Sequence, residues 1–183
     1  MKTSKIVIAG TAALAASGVL GAAPPAVQAS SAQPATWTQQ HPASSPPARH
    51  NAAVAYDAAT RTAVLFGGQV GDISFLSDTW TWNGTTWTQR HPAVHPGARG
   101  SAAMAYDAAT RTVVLFSGFH RGHRGGGVTV GTWTWNGTTW TQQHPATSPA
   151  ARFGAAVAYD AATGTVVLFG GAVGFGGVWG NDT

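Results

Sequence analysis

The chain contains no cysteine and no glutamate, and its only lysines are Lys2 and Lys5. Without cysteine there are no disulfides, thiolate metal sites or cysteine nucleophiles. Stability must then come from packing. From Ser30 onward the charged side chains are eight arginines and six aspartates, a net charge of +2. The clustered Lys and Arg face that marks a nucleic-acid binder is missing. After the first twenty residues no apolar run reaches the length of about twenty needed to cross a bilayer. What the chain does have is aromatic bulk. Eight Trp and seven Phe each contribute on the order of 2–3 kcal/mol when well buried.

The first residues read as a targeting segment. Lys2 and Lys5 precede an apolar run from Ile6 to Leu20, then Pro24-Pro25 and the small-residue site Val27-Gln28-Ala29. A basic start, a short apolar centre and a small-x-small end are the marks of a secretory signal peptide. The expected division is a leader at 1–29, a short linker at 30–35 and the repeats at 36–183, with the protein exported and extracellular.

Self-similarity governs everything after the linker. Ala52 to Thr62 returns as Ala102 to Thr112 and as Ala155 to Thr165. Val64-Leu65-Phe66 returns as Val114-Leu115-Phe116 and Val167-Leu168-Phe169, and Trp80 to Gln89 returns as Trp133 to Gln142. Trp37, Trp87 and Trp140 are spaced by 50 and 53 residues, as are Phe66, Phe116 and Phe169. Each unit reads as four strands. The first, near Asn51 to Asp57, is Ala-rich and suits a crowded inner position. The second, Thr62 to Phe66, is continuously apolar, as a doubly covered strand must be. The third and fourth, Asp78 to Trp82 and Thr85 to Gln89, alternate Trp with Thr at period two. Between them Asn83-Gly84 predicts a tight type I′ hairpin turn.

Four strands per unit of about fifty residues, the pairs Gly67-Gly68 and Gly170-Gly171, the Trp of the fourth strand, and the lead-ins Pro47-Ala48-Arg49, Pro96-Gly97-Ala98-Arg99 and Pro149-Ala150-Ala151-Arg152 resemble the kelch repeat. The second unit departs from it with Ser117-Gly118. The resemblance implies an all-β fold, a partial kelch-type β-propeller of about three four-stranded antiparallel blades that does not close a ring. The expected parts are a lone fourth strand in 36–47, blades at 48–97 and 98–150, and a partial blade at 151–183. A closed propeller has about four to eight blades. The expectation is therefore a truncated chain whose open blade edges favour self-association.

Residues shared by every unit read as architecture: Asp57, Asp107 and Asp160 as turn caps, and Arg49, Arg99 and Arg152 as packing or pairing between blades. The kelch resemblance places partner binding on the face formed by the second-to-third and fourth-to-first connections. There one segment stands apart, Phe119 to Gly127, with His120, Arg121, His123 and Arg124. His120 and His123, with His95, are weak metal-ligand candidates, since imidazole is a common ligand. The two arginines suit an anionic or glycan ligand. The plainer reading is a solvated, mobile, Gly-rich loop. No Ser-His-Asp set, paired carboxylates or phosphate loop occurs, and the copper cofactor of galactose oxidase-like members requires a cysteine that this chain lacks. No catalytic residue and no cofactor is therefore assigned. The leading function is a non-catalytic module binding a protein or a glycan. The alternatives are the partial propeller of a secreted oxidase or carbohydrate-active enzyme, or an inactive truncated product.

Overall fold

The structure is a computed structural model that describes residues 36–122, 125–174 and 178–179. The expected leader and linker lie outside the described residues. The chain divides into two compact units, Met1–His41 and Pro42–Thr183. In the first, the described residues have no strand and Trp37 is 65% exposed. The lone fourth strand expected there is not formed.

The second unit is all β. Its first blade is β1 (Ala53–Asp57), β2 (Thr62–Phe66), β5 (Thr79–Trp82) and β6 (Trp87–Arg90), hydrogen-bonded in the order β1-β2-β5-β6. Between β2 and β5 stands a two-stranded hairpin, β3 (Gln69–Val70) with β4 (Ser74–Phe75). The second blade repeats this plan. Its sheet is β7 (Ala103–Asp107), β8 (Thr112–Phe116), β11 (Thr132–Trp135) and β12 (Trp140–Gln143), and its hairpin is β9 (Phe119–Gly122) with β10 (Gly125–Val128). The third blade supplies β13 (Ala156–Asp160) and β14 (Thr165–Phe169), followed by a hairpin of β15 (Ala172–Val173) and β16 (Val178–Trp179). Among the described residues all pairings are antiparallel, and no sheet closes on itself.

The Ala-rich first strands stand beside one another, β1 against β7 and β7 against β13. Alanine is what allows this approach: Ala53, Ala55, Ala103 and Ala105 are all buried. Backbone bonds tie the blades together just before these strands. Ser101 N–H donates to Asn51 O at 2.8 Å, and Gly154 N–H to Ser101 O at 2.9 Å. All three residues have positive φ, 56°, 52° and 68°, so each turns its carbonyl or amide towards the next blade.

Tryptophan joins the blades further out. Trp140 packs edge-on against Phe66 of the first blade, ring centroids 5.4 Å apart, and its Nε1–H donates to Thr79 Oγ1 at 2.9 Å. The aspartate caps form as the repeat implied. Asp57 accepts the N–H of Ala59 and Thr60 and the hydroxyl of Thr60, and Asp107 and Asp160 take the same position in their turns.

Two local expectations need correction. The Asn83-Gly84 turn is not a two-residue type I′ turn. Gly84 has φ 104°, but Asn83 is not in the positive-φ region. The loop spans residues 83–86, with Asn83 Oδ1 accepting the N–H of both Thr85 and Thr86. Trp82 and Trp87 face each other across the strands at 5.5 Å, and that pairing leaves four residues for the turn. The second correction concerns the lead-in arginines, whose side chains bond within their own blades. Arg49 Nη1 donates to Gly67 O, Arg99 Nη1 to Ser117 O and Arg152 Nη1 to Gly170 O. Their backbones link to the preceding blade instead, through Gly68 N–H to Arg99 O and Gly118 N–H to Arg152 O.

Candidate functional site

The hairpins between second and third strands all project at one end of the blades. Each is fixed to the lead-in of its own blade by a backbone bridge, His50 with Gln69, Gly100 with Phe119 and Phe153 with Ala172. One aromatic from each blade adds to this. Phe119 lies 5.5 Å from Phe75 and 5.3 Å from Phe153, ring centre to ring centre. The three rings form a row that runs across the blade junctions.

The described arms of Phe119 to Gly127 form a hairpin rather than an open loop. Its two arms pair in register, Val128 with Phe119, Gly127 with His120 and Gly126 with Arg121. Glycine here permits close packing: a Cβ on Gly127 would lie 3.1 Å from His120 Cε1. The His120 ring is further held by Thr129, whose Oγ1 lies 3.0 Å from Nδ1. The sequence signal for order was present in Phe119, an anchoring aromatic at the root of the glycine-rich stretch.

Beside His120 lies a cleft of about 570 Å³ between the first and second blades. It is lined by Ile73, Ser74 and Phe75 of the first hairpin, Gly97 and Ala98 of the second lead-in, and His120 and Thr129 of the second hairpin. Of the four expected ligand-binding residues, the structure thus places His120 in a cleft. Arg121 has its backbone in β9, while its side chain, His123 and Arg124 lie outside what is described. His95 sits elsewhere. It lines a second cleft of about 240 Å³ with Asp78, Arg90 and His91. The two described metal-ligand candidates therefore do not share a site, and no group of three metal-binding side chains gathers among the described residues.

Sequence reasoning missed the chemistry at Asp78. Its carboxylate receives Arg49 Nη1 at 2.6 Å, Arg49 Nη2 at 2.8 Å and Trp80 Nε1 at 2.6 Å. Burial pushes the Asp78 carboxyl up, but the hydrogen bonds from Arg49 and Trp80 and the charge of Arg49 outweigh it. The result is a pKa below the ordinary 3.8. A depressed carboxylate contributes stability that is fully present above the unfolded value and is lost as pH falls through the folded one. Urea midpoints measured from pH 6 down to pH 2 should therefore fall with acid, and Asp78→Asn should flatten that fall. An unchanged acid limb in Asp78→Asn would remove the pair from the account.

Arg99, the equivalent arginine of the second blade, is 3% exposed and has no carboxylate partner among the described residues. Burial alone weakens its hold on the proton, to a pKa of about 10, so it stays charged at neutral pH.

No protein-family model and no curated protein matches the chain. Among solved structures, that of YjhT superposes with a TM-score of 0.62 at 13% identity, covering 80% of this chain and 44% of its own. The chain thus spans less than half the length of that neighbour. Together with two complete four-stranded blades and the start of a third, this decides the fold. The chain is an open section of a β-propeller. In this propeller section, the end that carries the hairpins is where variable side chains meet a cleft.

Proposed function

We propose that this is an exported, kelch-type propeller section acting as a non-catalytic binding module, and that a protein or glycan ligand seats in the cleft beside His120. The observation that carries the reading is the row Phe75, Phe119 and Phe153. It links the first two hairpins to the third lead-in, which bridges to the third hairpin, and loops on a rigid scaffold are where binding residues usually lie. The kelch assignment rests on the lead-in arginines, the Gly67-Gly68 pair and the fourth-strand Trp, each of which has a defined structural task. The open blade edges favour association of copies.

A glycan array and an affinity screen against secreted proteins test the binding reading. His120→Ala and the double change Arg121→Ala/Arg124→Ala should each weaken a bound ligand about tenfold or more, the effect of losing a hydrogen bond to a charged or strongly polar group. Binding indifferent to all three changes moves the site elsewhere, and turnover of any substrate overturns the non-catalytic reading. Export is tested separately. Mass spectrometry of the secreted protein should find a chain starting near Ser30, and recovery of intact Met1 protein in membranes alone would contradict it.

A further inference from the structure

We propose that the second blade contains a built site for a carboxylate group, at the position its first-blade counterpart fills with Asp78. The two blades share several bonds around this point. Asp78 O accepts Gly67 N–H at 3.0 Å, and Gly131 O accepts Ser117 N–H at 3.0 Å. Gly131 is therefore the structural equivalent of Asp78. The arginines match as well. Arg49 Nε donates to Pro47 O and Nη1 to Gly67 O, while Arg99 Nε donates to Gly97 O and Nη1 to Ser117 O. Both guanidinium groups are thus held in one pose. In the first blade that pose delivers two N–H groups to a carboxylate.

The second carboxylate donor is kept too. Trp133 stands in β11 where Trp80 stands in β5, opposite Leu115 and Leu65 respectively. The nearest atoms to a Cβ placed on Gly131 would be Trp133 Nε1 and Gln142 Nε2, each at 3.6 Å. Indole N–H and amide NH₂ groups are donors, and guanidinium has no acceptor. A group at this position therefore meets donors from two side chains, and the Arg99 guanidinium is held as Arg49 is held beside Asp78. Arg99, buried and charged, supplies the bidentate fork that matches a carboxylate. Gly131 has φ 128°, a conformation an L-aspartate rarely adopts, so the chain cannot supply the carboxylate by a single substitution. This site is independent of the cleft beside His120 and stands or falls separately.

The test uses the secreted chain and sodium acetate, with sodium chloride at matched ionic strength. A dipeptide with a free C-terminal carboxylate runs in parallel, to distinguish a peptide terminus from a small free acid. The indole N–H resonances are followed by NMR, that of Trp133 being assigned by its loss in Trp133→Phe. Acetate should shift this resonance saturably, and Gln142→Leu should weaken the binding about tenfold. Asp78→Gly gives a second readout: acetate should restore part of the stability it loses, as chloride should not. The proposal is overturned by the absence of a saturable Trp133 shift, by an equal shift with chloride, or by a shift unaffected in Gln142→Leu.

Discussion

Trp140→Ala is expected to destabilise the protein by about 3–5 kcal/mol, the range for deleting a buried aromatic. Trp140 is 2% exposed. It lies 5.4 Å from Phe66 and 5.3 Å from Trp135, and its indole N–H reaches Thr79 of the neighbouring blade. The substitution therefore removes core volume and the hydrogen bond that joins two blades. In repeat proteins each unit depends on its neighbour interface, so both blades should loosen together. Equilibrium urea unfolding gives the magnitude. Trp140→Phe separates the contributions: the ring contact survives and only about 1 kcal/mol should be lost with the hydrogen bond. Thr79→Val should then add almost nothing in the Trp140→Phe background. If Trp140→Ala unfolds at the parent midpoint, the indole is not at the blade junction.

Gly67→Ala is the second large effect, with an expected cost of about 2–3 kcal/mol, the upper range for a residue forced into an unfavourable backbone region. Gly67 has φ 62°, and a Cβ there would lie 2.5 Å from Arg99 O, a backbone atom of the next blade. The second blade shows how a side chain is accommodated. Ser117 occupies the equivalent position at φ 55°, and its hydroxyl is used in both directions. It donates to Thr129 O and accepts Arg152 N–H, both at 2.8 Å. In the first blade, Arg99 N–H instead reaches Leu76 O directly, at 3.1 Å. Serine thus inserts itself between two groups that otherwise meet. Gly67→Ser should accordingly be milder than Gly67→Ala by about 1 kcal/mol, the net worth of a hydrogen bond. Equal losses in the two variants would show that the first blade cannot open to admit the hydroxyl.

The repeat made most of this fold legible from sequence. Strands recur because Ala-Val-Ala-Tyr-Asp, Val-Leu-Phe and Trp-Thr-Trp recur, and each pattern meets the same neighbours in each blade. The aspartate caps followed from residue type and place. The strand expected at 36–47 is not formed among the described residues: a strand is a pairing, and similarity in sequence to β6 and β12 does not by itself establish one. The hairpin β9–β10 was hidden for a different reason. Its glycines suggest an open loop, while the pairing of its arms and the bridge from Phe119 to Gly100 depend on partners that the local pattern does not reveal. The anion site at Gly131 was hidden by its nature. It is a missing aspartate, visible only when the repeats are compared for what one blade has lost while its arginine and tryptophan donors remain.

Amide hydrogen exchange across the blades and hairpins tests the central claim, that the hairpin end is a rigid binding platform. Phe119 N–H donates to Gly100 O at 2.8 Å and Thr129 N–H to Gly118 O at 2.7 Å. Both amides should exchange slowly, on the timescale of the adjoining strands β8 and β11. Exchange of Phe119 and Thr129 at the unprotected rate, while β8 and β11 stay protected, would return the segment to a mobile loop and remove the platform on which the proposed function stands.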